Sequence, residues 1–227
     1  MTLAERLLGT SLPSSLLPET RLDLEAWGQQ QLERLAALGK PPEALPPSFP
    51  FQDLPASARL SYELVNWQNI GTYLTLFAAD PSPFVDARFR DQALLEQYAV
   101  DLLTYMRYSW KRGGCDWLLR RRSDGQAVGV LHLYDLSHEV IGPRVPHCTV
   151  GFAMAAPFRR LGLGQEGLEH LLVQAASVFG RTEARAITEA SNAASERLLQ
   201  SSGFTVLEQR PAGQDRNAKQ LWQRLLR

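Results

Sequence analysis

A glycine-containing segment in the second half of the chain has the composition of an anion-binding turn. It reads VGFAMAAPFRRLGLGQ over residues 150–165 and places two arginines directly before Gly162 and Gly164. Glycine adopts positive φ readily and allows a ligand to approach the backbone closely. A helical pattern begins after Gly162, so free N–H groups and the positive end of a helix dipole meet at one point. We therefore expect this turn to bind a phosphate or pyrophosphate group.

The residues around the two glycines exclude a Walker A loop but are compatible with a dinucleotide-binding turn. The GK[ST] ending of a Walker A loop is absent. Gly162, Gly164 and Gly167 match the GxGxxG spacing of dinucleotide-binding turns, but no acidic ribose-binding residue follows in the required βαβ layout. A nucleotide-binding turn therefore stays an alternative at this point.

The periodicity of the chain around this turn predicts an α+β domain with one sheet flanked by helices. Asp124-Gly125 is a strong hairpin signal between two of the predicted strands. Strands are predicted over 59–66, 115–121, 127–134, 147–154, 183–189, 204–210 and 219–226, and helices over 67–79, 86–110, 162–179 and 193–202.

The first part of the chain differs from the rest in composition. Residues 1–56 hold eight of the 14 prolines. Thr2 and Glu5 fit a capping box, and a helix is predicted over 22–38, followed by a Pro-rich extended connector. We expect an N-terminal extension over residues 1–56 that packs on a main domain over 57–227.

Two segments of the main domain carry a family resemblance. Arg159-Arg160-Leu161-Gly162-Leu163-Gly164 resembles the [RQ]xxGx[GA] acyl-CoA loop of the GNAT superfamily of N-acetyltransferases, and residues 192–204 resemble its NxxSxxxLxxxGF segment. The resemblance covers about residues 57–227 and is nearest to the RimJ/RimL-like branch. It implies a mixed, mostly antiparallel sheet with a V-shaped splay, flanked by helices.

The resemblance also implies acetyl-CoA as the cosubstrate and assigns the residues that bind it. The pantetheine arm would pair with the backbone of one strand end, the pyrophosphate would lie on the amides of the glycine turn, and an asparagine would hydrogen-bond the arm near the thioester. These roles fall on Phe152, Ala153 and Met154; on Arg159, Arg160, Leu161, Gly162, Leu163 and Gly164; and on Asn192.

The chemistry implied by the resemblance is direct attack of an amine on the acetyl thioester. Ser195 is the candidate to protonate or hydrogen-bond the departing thiolate, and a backbone N–H within 152–154 the candidate oxyanion donor. The branch commonly has an acidic residue where this chain has Thr149, and other relatives have a Glu where it has Ile187. Glu189 lies two residues further along the same predicted strand, on the same side, and is the best candidate for the base.

Each candidate has a structural alternative. Asn192 is a good N-cap, Ser195 a common first-turn hydroxyl, and Glu189 fits a strand-end surface charge. Two acceptors are compatible with the sequence, a protein N-terminus and a small-molecule amine. The missing acidic residue at position 149 supports a different function, a non-catalytic CoA-binding sensor or scaffold.

Composition and residue spacing argue against several other classes of protein. Lys+Arg and Asp+Glu are equal at 24 each, which argues against a general nucleic-acid binder. There is no apolar run long enough for a membrane span and no secretion signal, so we expect a cytoplasmic monomer or homodimer. The spacing of the four histidines fits no metal site, and Tyr134, His138 and Glu139 are candidates to line the acceptor pocket. Cys115 and Cys148 are expected to be small buried residues.

Overall fold

A computed structural model of the chain describes residues 2, 5, 18–37, 39, 41, 52–66, 68–103, 113–136, 146–212 and 217–227. Its seven strands form one sheet in the order β1-β2-β3-β4-β5-β7-β6. The strands are β1 Leu60–Leu64, β2 Cys115–Arg121, β3 Ala127–Tyr134, β4 His147–Met154, β5 Glu183–Glu189, β6 Thr205–Arg210 and β7 Lys219–Leu225. The helices are α1 Pro18–Ala37, α2 Ile70–Leu76, α3 Gln92–Asp101, α4 Leu163–Ser177 and α5 Ala193–Ser201.

The pairing of β4 with β5 is the exception in this sheet. Every other neighbouring pair is antiparallel, whereas β4 and β5 are parallel and pair only over 147–149 and 183–185. Beyond these residues the two strands part and leave a V-shaped gap. The predicted α+β class, with a mixed and mostly antiparallel sheet, a V-shaped splay and flanking helices, is confirmed.

Helix α4 covers one face of the sheet with the apolar stripe that its periodicity predicts. Leu168, Leu171, Leu172 and Ala175 are buried in the core. Gly167 lets the helix lie close to the sheet, because a Cβ at this position would stand 3.4–3.7 Å from three leucine side chains of β1, β2 and β3. Each fully buried leucine contributes about 1.5–3 kcal/mol. The start of α4 is therefore held firmly against the end of β4.

Helices α2 and α3 cover the opposite face. Tyr73, Phe77, Phe89 and Tyr98 form an aromatic cluster with ring centroids 5.3–6.3 Å apart. This cluster packs with buried apolar residues of β2 and β3. The sheet is thus enclosed on both faces next to the gap. No helix in the described ranges is both long and apolar enough to cross a membrane.

The predicted elements agree with the structure in type and order, and they differ at some helix and strand ends. The predicted helix over 86–110 is a 3₁₀ turn over Ala87–Arg90 followed by α3, because Asp91 is extended. Residues 104–110 lie outside the described part. Helix α1 begins at Pro18 rather than residue 22, since proline is tolerated in the first turn.

The N-terminal region contains the predicted capping box, and its last residues contact the main domain. Thr2 and Glu5 form the reciprocal hydrogen bonds of a capping box. Leu54 bridges to Tyr62 of β1, and Trp117 Nε1 donates to the Gln52 carbonyl at 2.9 Å. Most of the predicted connector lies outside the described residues. The division into 1–56 and 57–227 stays a proposal.

Glu166, in the first turn of α4, ties this helix to the start of β1. Its carboxylate accepts from Ser57 Oγ at 2.6 Å, from the Arg59 amide at 2.7 Å and from Arg59 Nε at 2.6 Å. Burial acts to raise the pKa of Glu166, but these hydrogen bonds outweigh it and the pKa is lowered. A lowered pKa in the folded state stabilises the fold above the ordinary pKa, and this stabilisation is lost as the pH falls.

We expect Glu166→Gln to lower the free energy of unfolding by about 1–2 kcal/mol at neutral pH, because it removes a charged acceptor. The difference from the wild type should shrink as acidification protonates Glu166. Urea denaturation at neutral and acidic pH measures both effects. Glu208→Gln, which breaks an exposed pair with Arg210, is the control and should change stability little. A pH-independent deficit in Glu166→Gln would contradict the role of the charge.

Candidate active site

The gap between β4 and β5 presents unpaired backbone groups. The Ala155 amide donates to the Val128 carbonyl at 3.0 Å, and antiparallel bonding alternates along a strand. The backbone groups of Phe152 and Met154 therefore point towards β5, while those of Ala153 point towards β3. Beyond Thr149 there is no β5 partner for them. An extended ligand could pair with the backbone of Phe152 and with the amide of Met154 as an additional strand; the Met154 carbonyl accepts from Arg159 Nε.

On the other wall of the gap, β5 is arranged in the same way. The Ala190 amide donates to Ala218 of the neighbouring segment at 2.9 Å, so the backbone groups of Ile187 and Glu189 point towards β4. The Glu189 carbonyl accepts from the Asn192 amide at 2.9 Å. The gap is therefore lined by main-chain groups on both sides.

The turn after β4 gathers a group of free amides at the start of α4. A 3₁₀ turn over Ala156–Phe158 leads to Arg160 at φ 63° and Gly162 at φ 73°. Among the described residues, no acceptor binds the amides of positions 160–165. After position 165, the Glu166 amide donates to the Gly162 carbonyl at 3.1 Å and begins the helical hydrogen bonding of α4. These amides and the helix dipole suit a pyrophosphate group.

The two predicted glycines serve different purposes. Gly162 adopts positive φ, as predicted, and is the residue that caps α4. Gly164 does not adopt positive φ. A Cβ at Gly164 would lie 3.3 Å from Met154 Cγ and 3.6 Å from Leu198, so this glycine allows the first turn of α4 to approach β4 and α5.

The two arginines of the turn also differ. The Arg159 guanidinium pairs with the buried carboxylate of Asp80, and its Nε donates to the Met154 carbonyl at 2.9 Å. Arg159 thus braces the turn from within. The Arg160 side chain is exposed, and no described residue pairs with it. Arg160 is the arginine of this turn that is available to an anion.

Arg59 adds a cation that the sequence did not indicate. Its Nη1 donates to the Leu161 carbonyl at 2.9 Å, and its Nη2 lies 3.3 Å from the position of a Cβ on Gly162. About half of its side chain, 51%, is exposed. Because Arg59 is far from the turn in sequence, no local pattern could have revealed it.

The residues predicted to act near the thioester lie at the end of β5 and the start of α5. Asn192 Oδ1 accepts from the Ser195 amide at 3.2 Å and caps α5. The Ser195 hydroxyl is half-buried and has no partner among the described residues. Glu189 Oε2 accepts from Asn217 Nδ2 at 2.9 Å. The side chains of Ile187 and Glu189 share one face of the sheet with Thr149, whose hydroxyl donates to Asp135.

Some predicted residues lie elsewhere. His138 and Glu139 are outside the described part of the chain. Cys115 and Cys148 are buried and unpaired with each other, and burial raises the pKa of the Cys148 thiol to about 12. In the described ranges, no group of three or more His, Cys, Asp or Glu residues could hold a metal ion.

Comparison with known proteins identifies the family. The family model described as the acetyltransferase (GNAT) domain matches residues 59–205. This is more than half of the chain, which therefore belongs to the GNAT acetyltransferase family, as the two motifs predict. The expected enzyme class, an N-acetyltransferase, is confirmed. No curated protein gives a significant match.

Solved structures of the same fold include acetyltransferases of several kinds. A RimL ribosomal L7/L12 α-N-protein acetyltransferase in complex with coenzyme A is 14% identical, with 77% of this chain and 98% of that chain covered and a TM-score of 0.63. The ribosomal-protein-S5-alanine acetyltransferase of Vibrio fischeri is 10% identical, with coverages of 78% and 97% and a TM-score of 0.60. The microcin C7 self-immunity acetyltransferase MccE, in complex with acetyl-CoA and AMP, is 9% identical, with coverages of 75% and 94% and a TM-score of 0.59. These neighbours support the predicted RimJ/RimL-like branch.

The different positions of the two turn arginines give different expectations for their variants. Arg159→Gln should lower the free energy of unfolding by about 2 kcal/mol, because the buried Asp80 carboxylate loses its charged partner. Arg160→Gln should leave stability nearly unchanged and weaken CoA binding by about fivefold, as expected for one exposed cation. Chemical denaturation and calorimetric CoA titration measure the two quantities. Equal stabilities of the two variants would contradict the bracing role of Arg159.

Proposed function

We propose that this protein transfers the acetyl group of acetyl-CoA to a primary amine. The observation that carries the proposal is that two backbone regions without hydrogen-bond partners follow each other along the chain. The first is the end of β4 beside the gap, and the second is the set of free amides at positions 160–165. The first suits an extended amide-containing arm and the second a pyrophosphate. CoA contains both groups, because its amide-containing pantetheine arm is joined at one end to a pyrophosphate.

The residues that would hold acetyl-CoA follow from this arrangement. Phe152 and Met154 offer backbone groups to the arm, and Arg59 and Arg160 add positive charge beside the amides of the turn. When bound, acetyl-CoA supplies an activated acetyl thioester. Ser195, whose hydroxyl has no partner among the described residues, would hydrogen-bond a departing thiolate. Glu189, at the end of β5, is the candidate base from the sequence alone.

We infer that the acceptor is the α-amino group of a protein or peptide. Two of the solved structures with this fold are named for acetylating ribosomal proteins, L7/L12 in one case and S5 in the other. A small-molecule amine is the alternative acceptor.

A screen with acetyl-CoA tests the proposal. Purified protein is incubated with acetyl-CoA and peptides that begin with Ala, Ser or Met, and with polyamines and aminoglycosides, while free thiol is followed. Peptides with a blocked N-terminus are the matched controls. We expect thiol release with free N-termini and none with blocked ones. Tight CoA binding with no turnover on any amine would instead favour the non-catalytic sensor. The lack of an acidic residue at position 149 supports that alternative.

The binding site itself is tested by a matched pair of variants at Leu161. This side chain is 49% exposed in the turn, so its replacement should not disturb the core. Leu161→Asp adds a negative charge beside the amides that would hold the pyrophosphate, and Leu161→Asn adds nearly the same atoms without the charge. We expect Asp to weaken CoA binding by about tenfold relative to Asn, from repulsion at short range. Equal CoA affinities in calorimetry would place the pyrophosphate elsewhere, and binding of ATP or NAD without CoA would refute the proposal.

A further inference from the structure

A buried carboxylate lies beside a histidine whose ring leans over β4 near the parting of β4 and β5. Asp116 on β2 and His132 on β3 are direct neighbours across the sheet. The Asp116 side chain, only 2% exposed, contacts His132 Nδ1 and accepts from the Tyr134 hydroxyl at 3.0 Å. The His132 and Tyr134 rings are nearly parallel, with centroids 5.9 Å apart. The imidazole is therefore held in place from one side by a charge and from another by an aromatic ring.

The ring of His132 extends over the residue of β4 that marks the start of the gap. On β4, the residue opposite His132 is Gly151, two positions beyond the last residue that pairs with β5. A Cβ at Gly151 would lie 3.0 Å from His132 Cδ2 and 3.3 Å from its Cβ. Any larger residue at position 151 would push the ring away. The absence of a side chain there lets the imidazole reach towards the gap.

The orientation of the ring decides which nitrogen faces the gap. Nδ1 is turned towards Asp116 on β2, so the opposite edge, with Cδ2 and the adjoining Nε2, is turned towards β4. No described residue forms a hydrogen bond with Nε2. A carboxylate accepts hydrogen bonds, so a neutral imidazole beside Asp116 has its hydrogen on Nδ1 and its lone pair on Nε2. This is the form of histidine that accepts a proton.

The other titratable groups around His132 are poor proton acceptors. Tyr134 lies on the same strand and stacks on the His132 ring, and Tyr73 on α2 and Tyr98 on α3 lie close to its partner Asp116. The Tyr73 and Tyr98 hydroxyls are 3.1 Å apart. Burial raises the pKa of Tyr98 to about 12 and raises the pKa values of Tyr73 and Tyr134 well above the ordinary value. These phenols keep their protons at neutral pH. From β4, Thr149 is engaged with Asp135.

We propose that His132 is the residue that accepts the proton of the attacking amine, with Asp116 as its positioning residue. The inference rests on the proposed acetyl transfer. The amine nitrogen forms a bond to the acetyl carbon while the carbon–sulfur bond breaks. The proton lost by the nitrogen passes to His132 Nε2, and the sulfur leaves with the bonding electron pair. The thiolate takes up a proton from solvent, either directly or through Ser195, which regains its own proton from solvent. The proton on His132 then returns to solvent, so the reaction needs no further reagent.

Glu189 is the competing proton acceptor, and the structure distinguishes the two positions. Both side chains are on the same face of the sheet. By the strand registers, His132 is level with Gly151, and Glu189 lies beyond that level, at the outer end of β5. Glu189 is also engaged by Asn217. Substitution of the residue that accepts the proton should lower kcat strongly, and substitution of the other residue should not, so variants of His132 and Glu189 distinguish the two assignments.

The kinetic experiment compares His132→Gln, Glu189→Gln and the control His170→Gln, whose histidine stacks on Tyr62 on the opposite face. We expect His132→Gln to lower kcat by about a hundredfold or more, as for loss of a general base, with little change in KM for acetyl-CoA. CoA affinity by calorimetry should be unchanged in all three, which also shows that they are folded. Added imidazole should restore part of the activity of His132→Ala.

A second readout does not depend on turnover. Long-range proton–nitrogen NMR correlations in the ligand-free protein report which nitrogen of His132 carries the hydrogen. We expect the Nδ1–H form in the wild type and its loss in Asp116→Asn. An Nε2–H form in the wild type would overturn the orientation argument.

The outcomes separate this inference from the proposed function. A wild-type protein that binds CoA but acetylates no amine would defeat the proposed function and this inference with it. Turnover that survives His132→Gln, or a large loss of kcat in Glu189→Gln alone, would defeat this inference and leave acetyl transfer standing.

Discussion

The structure depends on the early parting of β4 and β5. Along the gap each of these strands is paired on its other side, β4 with β3 over 149–154 and β5 with β7 over 183–189, so the parting leaves unpaired only the groups that face the gap. Its consequence is that main-chain donors and acceptors face an open gap instead of each other. A buried polar group without a partner is costly, which makes such a gap a good place for a ligand that supplies the partners. The turn, the helix dipole of α4 and the cap of α5 all lie around it.

The turn that follows β4 has free amides and therefore needs support from elsewhere. That support comes from side chains distant in sequence: Asp80 through Arg159, and Arg59 and Ser57 through Glu166. Gly167 lets α4 pack closely on the sheet and fixes the helix axis behind the turn. The free amides are thus held in position before any anion arrives, which reduces the ordering cost of binding.

Much of the fold followed from local patterns in the sequence. The strands over 115–121, 127–134, 147–154 and 183–189 were predicted with their observed bounds, because alternation and the Asp124-Gly125 turn define them locally. The glycine turn was predicted for the same reason. Arg59, Asp80 and the pairing of Asp116 with His132 were not, since they depend on strand register and packing. From the sequence, His132 was one of four histidines whose spacing fits no metal site. Glu189 was the candidate base because it lies two residues beyond Ile187, where other relatives have a Glu.

Hydrogen exchange with and without CoA tests the central claim most directly, because the claim concerns particular backbone amides. Mass spectrometry of exchanged peptides resolves the end of β4 and the turn from the rest of the chain. The account predicts that CoA slows exchange at the amides of Phe152, Met154 and residues 160–165, which lack partners among the described residues. CoA binding that leaves both segments unchanged while protecting another part of the chain would contradict it.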